Sequence, residues 1–233
     1  MPNFAEKDNM AAKKDWAGAM RPLLRKYKGQ KHPLEYHDIY QLLVMVLLSA
    51  RSSDVHINSI APAFFNAYKD MQALSRADAK DLFPYLKGVI NFAHKAQWLV
   101  KIAQQIKRNN AIPMNMEGLT ALPGIGRKSA NVILREAGRP AEGVVVDLHT
   151  VRVATRLGIT KEEDPQKIEE RLMKVLPRQE WDAGMAMSFL GREICRPEPL
   201  CEICPMRKVC AYYNKKVKPE MLKKAKHVAK KRI

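Results

Sequence analysis

The stretch Leu122-Pro123-Gly124-Ile125-Gly126-Arg127-Lys128 constrains the fold more than any other part of the chain. Apolar spacing on either side reads as a short helix from Met116 to Ala121 and a longer one from Arg127 to Ala137. Pro123 has no N–H with which to continue the first helix, and Gly124 and Gly126 permit a tight turn. Leu122 and Ile125 anchor that turn in a core. The segment therefore reads as a helix-hairpin-helix. Its second helix opens on two cations, although a helix N-terminus already carries partial positive charge. Backbone N–H groups exposed by the glycines complete an anion site, and the balancing negative charge is expected from outside the chain.

The overall charge points to the same kind of partner. The 233 residues hold 41 Lys and Arg against 24 Asp and Glu, a net charge of +17. A surplus of this size favours a polyanion, with nucleic acid ahead of membrane lipid. Nine of the cations, against the single acid Glu220, lie between Lys215 and Ile233, a basic tail suited to phosphates. A phosphate at the hairpin would be bound without reading sequence. The N-terminal MPNFAEKDNMAAKKDW has no apolar signal core, and the longest apolar run, Leu42 to Ala50, is too short to cross a bilayer. The expectation is an intracellular, cytoplasmic protein, nucleoid-associated if bacterial, with no membrane partner.

Helical periodicity dominates the remaining sequence. Tyr40 to Arg51 is apolar on almost every face, as in a helix buried in the middle of a domain. Ala96, Leu99, Val100, Ala103 and Ile106 form a stripe at helical spacing. Asp164-Pro165 reads as a cap followed by proline in the first turn, and Ile168, Leu172, Val175 and Leu176 make the apolar face behind it. Gly184 to Cys195 is a further helix. Val144-Val145-Val146 has β propensity but is too short for a sheet, and reads as a buried extended link. The fold class is all-α. Trp16, Trp98 and Trp181 read as core residues rather than stacking platforms.

All four cysteines fall in one 16-residue window, at Cys195, Cys201, Cys204 and Cys210. Intracellular thiols clustered in this way indicate a metal site rather than disulfides. The spacing C-x5-C-x2-C-x5-C suits a [4Fe–4S] cluster or zinc. Structural zinc usually shows two close pairs, and here only Cys201 and Cys204 make one.

Two more residues carry chemistry. Lys128 sits in a first helical turn beside Arg127, where the helix N-terminus and the guanidinium both favour a neutral, nucleophilic amine. Asp147 follows the three valines and precedes a helix from Leu148 to Leu157. It can cap that helix, and a carboxylate on an apolar shelf can also take a proton or stabilise a cationic sugar.

LPGIGRKSANVIL (Leu122 to Leu134) followed by VVVDLHTVRV (Val144 to Val153) resembles the endonuclease III family of DNA glycosylases. Val46-Leu47-Leu48-Ser49-Ala50-Arg51-Ser52-Ser53-Asp54 is similar to the family's early buried helix, and the cysteine window completes a likeness spanning Gln41 to Cys210. The resemblance implies two helical domains flanking a DNA-binding cleft. A six-helix domain at 34–140 would carry the hairpin. Residues 1–33 and 141–213 would form an iron–sulfur cluster domain, with 214–233 as the basic tail. The four cysteines would hold a [4Fe–4S] cluster in a structural role. Lys128 falls on the nucleophile position and Asp147 on the carboxylate position, one from each domain and both facing the cleft.

The implied activity is that of a bifunctional DNA glycosylase and AP lyase of base excision repair. It would act as a monomer on double-stranded DNA containing a damaged base or an abasic site. The base, an oxidised pyrimidine such as thymine glycol, flips out of the duplex. Lys128, activated by Asp147, attacks the anomeric carbon, a Schiff base forms, and β-elimination cuts the strand. Leu122, Gly124, Ile125, Gly126 and Arg127 would grip a phosphate. His149, counted with the DNA-binding set, would support the site through a hydrogen bond.

Several positions depart from the family's pattern. Arg51 stands where glutamine is common, at the position filling the gap left by the flipped base. Arginine can reach the orphaned base, with guanine its best match, or instead meet a phosphate or a helix-end carbonyl. The second wedge falls within Lys87 to Lys95, KGVINFAHK: Gly88 selects Val89, whereas Lys95-Ala96 selects Asn91. The pocket and wedge candidates are thus Ser49, Arg51, Val89, Ile90, Asn91 and His94. The first cysteine gap is five residues where the family has six, and the loop Arg196 to Leu200 is less basic, leaving Arg207 and Lys208 as substitute phosphate contacts. Arg51 keeps open a second substrate class, uracil or thymine mismatched with guanine. A non-catalytic helix-hairpin-helix DNA-binding module is the remaining alternative, and it has no use for Lys128 together with Asp147.

Overall fold

The computed structural model describes residues 15–223. The N-terminal extension before residue 15 and the basic tail beyond residue 223 lie outside the described residues. Every regular element among the described residues is helical, the all-α class that the periodicity predicts. The chain divides into two compact units, one of residues 31–142 and one combining 15–30 with 143–223. Among the described residues no helix is long and apolar enough to cross a membrane.

Helix α1 (Trp16–Lys26) belongs to the second of these units. Asp15 caps it by accepting from Gly18 N at 3.0 Å, and Trp16, Met20 and Leu23 are its buried face. Residues 31–142 then supply α2 (Ile39–Ser49), α3 (Asp54–Ala67), α4 (Met71–Ser75), α5 (Phe92–Ile106), α6 (Met116–Thr120) and α7 (Arg127–Glu136). Helix α2 is the central rod of this unit. Tyr40 and every residue from Leu42 to Leu48 are buried, because α3, α5 and α7 all pack on it. Asp38 starts α2 by accepting from Gln41 N at 2.8 Å, and Ser53, Asp70 and Asn115 cap α3, α4 and α6 in the same way. Helices α5 and α7 start without a side-chain cap, at Asn91 and Gly126.

The other unit is completed by α8 (Leu148–Leu157), α9 (Pro165–Val175) and α10 (Ala183–Glu193), followed by a helical segment at 211–223 that contains a π-turn, Tyr213–Val217. Helix α10 is buried from Ala183 to Gly191 and packs on α8 and α1. Val144, Val145 and Val146 are buried and extended, forming a link rather than a sheet. Two glycines of α10 permit its close approach to this link and to α8. A Cβ on Gly184 would lie 2.4 Å from the Val145 carbonyl oxygen, and one on Gly191 would lie 2.8 Å from His149 Cβ.

Candidate hairpin, carboxylate and cysteine pocket

The hairpin lies in the unit of residues 31–142. Helix α6 ends at Thr120 and α7 begins at Arg127. Leu122 and Ile125 are buried, and Ile125 N donates to Leu122 O at 3.2 Å, which closes the turn. Gly124 has a φ of +78°, and a Cβ there would sit 2.4 Å from Trp98 Cε3 of α5. Both the left-handed backbone and the indole against it demand glycine. Gly126 has open space around the position of a Cβ. Arg127 is exposed and Lys128 is half-buried in the first turn of α7. With no side-chain cap, a turn of this kind can take an anion on backbone N–H groups beside its two cations.

Two loops of the same unit are tied together. Ser52 Oγ accepts from Ile90 N at 3.3 Å, and the His56 imidazole of α3 bonds Lys87 O at 2.8 Å. Arg51 is exposed with a φ of 63°, and Asn91 is exposed with a φ of 57°. Ile90 is 43% exposed, whereas Val89 is 3% exposed. Val89 therefore serves the core and is not a wedge candidate, leaving Ile90 and Asn91. Ser49 is half-buried and its hydroxyl donates to Val46 O at 3.0 Å. His94 is exposed one turn along α5, its ring 6.3 Å from that of Trp98.

In the sequence Lys95 serves only to place the second wedge, and its buried role is not read there. Its ammonium is buried and donates to Leu48 O at 2.8 Å and Ala50 O at 2.6 Å. Burial, reinforced by the Arg51 charge, lowers it from the ordinary lysine value to about 8. The partial negative charge at the C-terminus of α2 favours a cation at this place. The available signal was its spacing, four residues before Leu99 on the buried stripe of α5.

Asp147 lies in the other unit, at the head of α8. Its Oδ1 accepts from Thr150 N at 2.8 Å and faces Thr150 Oγ1 at 3.1 Å. Its Oδ2 accepts from Ser188 Oγ of α10 at 2.6 Å, with Arg192 Nη2 at 3.7 Å. The carboxylate is thus more than a helix cap, because donors from two helices fix its plane. Thr150 and Ser188 escaped the sequence reading, although a single polar residue inside an apolar helix such as GMAMSFLG is a usable signal. His149 is half-buried, and Arg152 Nη2 lies 3.1 Å from its Nδ1. Leu148, between Asp147 and His149, is 82% exposed.

Cys195, Cys201, Cys204 and Cys210 line one pocket, shared with Arg156, Ile194, Tyr212 and Tyr213. Among the described residues, no three Cys, His, Asp or Glu side chains are grouped closely enough to hold one metal ion. Four thiols around a larger shared space suit a multi-atom cluster better than zinc, whose bonds to sulfur are only about 2.3 Å long. Donors already address the sulfurs: Arg156 Nη1 lies 3.5 Å from Cys195 Sγ, and Tyr213 N lies 3.5 Å from Cys210 Sγ. Burial pushes Cys204 up to about 11, against a lowering backbone bond from Met206, and the other three thiols add repulsion. Burial likewise raises Cys201, with Cys210 and Cys195 contributing. A bound cationic centre reverses this balance, since metal binding requires thiolates.

A helical hairpin whose second helix starts without a side-chain cap, a fixed carboxylate and a four-thiol pocket accompany a match to a class of DNA-repair proteins. Residues 44–178 match the family described as HhH-GPD superfamily base excision DNA repair protein. The chain is 36% identical over 206 residues to endonuclease III of Synechocystis sp., covering 86% of this chain and 94% of that one. It is 34% identical over 189 residues to endonuclease III of Thermotoga maritima, covering 79% and 88%. The fold is similar to that of a trapped endonuclease III–DNA covalent intermediate in an estranged-adenine complex, with a TM-score of 0.75 and 26% identity over 93% of this chain and 100% of the other. The chain belongs to the endonuclease III family. It is a DNA glycosylase of base excision repair with AP lyase activity, and it binds DNA.

Proposed function

We propose that this glycosylase removes oxidised pyrimidines from double-stranded DNA as a monomer, with Lys128 as the Schiff-base nucleophile and Asp147 as its carboxylate partner. What carries the reading is that one member of this family combines a hairpin running into Lys128 with a carboxylate at the head of α8 fixed by Thr150 and Ser188. In this mechanism the hairpin backbone and Arg127 hold a phosphate of the damaged strand. Asp147 takes a proton from the Lys128 ammonium and stabilises positive charge developing at C1′. Lys128 Nζ bonds to C1′ as the glycosidic bond breaks, and the base leaves with the bonding electrons and gains a proton. Opening of the sugar gives the iminium. Loss of a C2′ proton then expels the 3′ phosphate, which cuts the strand.

Cys195, Cys201, Cys204 and Cys210 would hold a [4Fe–4S] cluster, whose chemistry here is to balance four thiolates and order the loop around them. The test is borohydride trapping on a duplex containing thymine glycol. A covalent adduct is expected with the wild type and none with Lys128→Gln. Base release that is never trapped would overturn the nucleophile assignment. Faster release of uracil or thymine opposite guanine than of thymine glycol would overturn the substrate class.

A further inference from the structure

We propose that Lys95 is a positioning residue, pinning the loops that carry Arg51 and Asn91 into one preset platform for the DNA duplex. Among the described residues only three non-glycine residues have a positive φ, and two of them are Arg51 and Asn91. Such conformations persist only where the surroundings over-determine them, and they cluster at functional sites. The Lys95 ammonium supplies the constraint at Arg51, and the first-turn backbone bond of α5 at the same residue holds Asn91, the two loops being joined through Ser52 and Ile90.

The Ala50 carbonyl belongs to the peptide plane whose rotation sets the φ of Arg51. The 2.6 Å bond from Lys95 Nζ to Ala50 O fixes that plane, and the 2.8 Å bond to Leu48 O anchors the same ammonium to the end of α2. The main chain of the same residue holds the other loop, since Lys95 N donates to Asn91 O at 3.1 Å. The Ser52–Ile90 bond then joins the loops at the surface. Above this buried ammonium stand an exposed guanidinium, an exposed amide and the 43% exposed Ile90. These groups can enter a duplex and contact base edges.

Both acceptors of the Lys95 ammonium are backbone carbonyls rather than carboxylates. The helix-end carbonyls offset only part of the cost of burying a cation without an anion, and an apolar residue of the same length would serve the core as well. Lysine at this place is therefore explained by the geometry it imposes.

The proposal rests on the glycosylase reading, and the experiment separates the two. Lys95→Met and Arg51→Ala are made singly and together in the full-length protein. Each is measured for affinity to a duplex carrying an abasic-site analogue opposite each of the four bases, for melting temperature and for borohydride trapping. Lys95→Met is expected to melt no lower than the wild type, to bind several-fold more weakly and to discriminate less between opposing bases. Added to Arg51→Ala, it is expected to change affinity by less than about twofold, the signature of coupled residues. An equal loss in both backgrounds, or none in either, overturns the positioning role. Trapping that persists in all four proteins confines that failure to Lys95, whereas a wild type that traps on no lesion sinks the parent reading. If Lys95→Met melts lower, Lys95→Gln is put through the same cycle under the same criterion.

Discussion

Replacing Gly184 with alanine tests how the carboxylate is held. The added Cβ would stand 2.4 Å from Val145 O, 2.6 Å from Val144 Cγ1 and 2.8 Å from Val145 N. Two of these atoms are backbone, so rotating the Val144 side chain would not relieve the clash. An ordinary contact begins near 3.4 Å, and α10 must therefore retreat from the link by about 1 Å. Ser188 lies four residues later on the same face of α10, and its hydroxyl moves with the helix. The 2.6 Å bond to Asp147 Oδ2 then lengthens beyond hydrogen-bonding range. Overpacking of this kind costs roughly 1–3 kcal/mol, and each kcal/mol lowers Tm by roughly 2–4 °C in a chain of this size. A misplacement of about 1 Å can cost on the order of a hundredfold in rate. The assay is single-turnover base release beside a thermal melt. A Gly184→Ala protein with wild-type Tm and wild-type base release would refute the account of Asp147.

Three other outcomes follow from the same structure. Purified without air, the protein is expected to be brown, and Cys204→Ser to lose the colour and the order of the 195–210 loop. A colourless wild type containing zinc would refute the cluster assignment. Removal of residues 215–233 is expected to flatten the salt dependence of DNA affinity by about 0.9 in slope for each phosphate that the tail neutralises, and an unchanged slope would mean that the tail does not touch DNA. Lys95 titrates near 8 in the folded protein against an ordinary value of 10.5, so its burial penalty is in full force below pH 8. Between those two values the unfolded chain binds more protons, and the wild type should gain stability relative to Lys95→Met as pH rises. Urea titrations of both proteins at several pH values check this, and a constant difference would show that Lys95 does not lose its proton there.

What could be read from the sequence was local. The hairpin, the helix Ile39–Ser49 buried on all sides, the valine link and the Asp164-Pro165 cap all declare themselves within a few residues, through glycine and proline placement or apolar spacing. What escaped depended on partners distant in sequence. Ser188 reaches Asp147 across 41 positions, and Lys95 reaches Leu48 across 47. Arg152 and Arg156, four apart on α8, direct their guanidinium groups to backbone carbonyls about 40 positions away. Val89 illustrates a different limit. A β-branched residue beside Gly88 fits a core or a wedge equally well on pattern, and only its burial decides between them.

Those two arginines tie the cysteine pocket to the helix that carries Asp147. Arg152 Nε donates to Cys195 O at 2.9 Å, and its Nη2 donates to Gly191 O at 2.8 Å. One turn on, Arg156 Nη1 donates to Arg196 O, and its Nη2 to Pro197 O at 2.9 Å. Cys210 Sγ lies 3.4 Å from Arg156 O. The C-terminal half of α8 is therefore clasped to the first and last cysteines, while its N-terminus presents Asp147. A helix of ten residues is about 15 Å long and stiff, so the order of the cysteine loop sets the angle at which the carboxylate is held. Arg152→Met leaves every cysteine in place but cuts this link. If the rod transmits position, the variant keeps its colour and loses base-release rate. If colour and rate are both retained, the Arg152 clasp does not carry position from the cysteine pocket to Asp147.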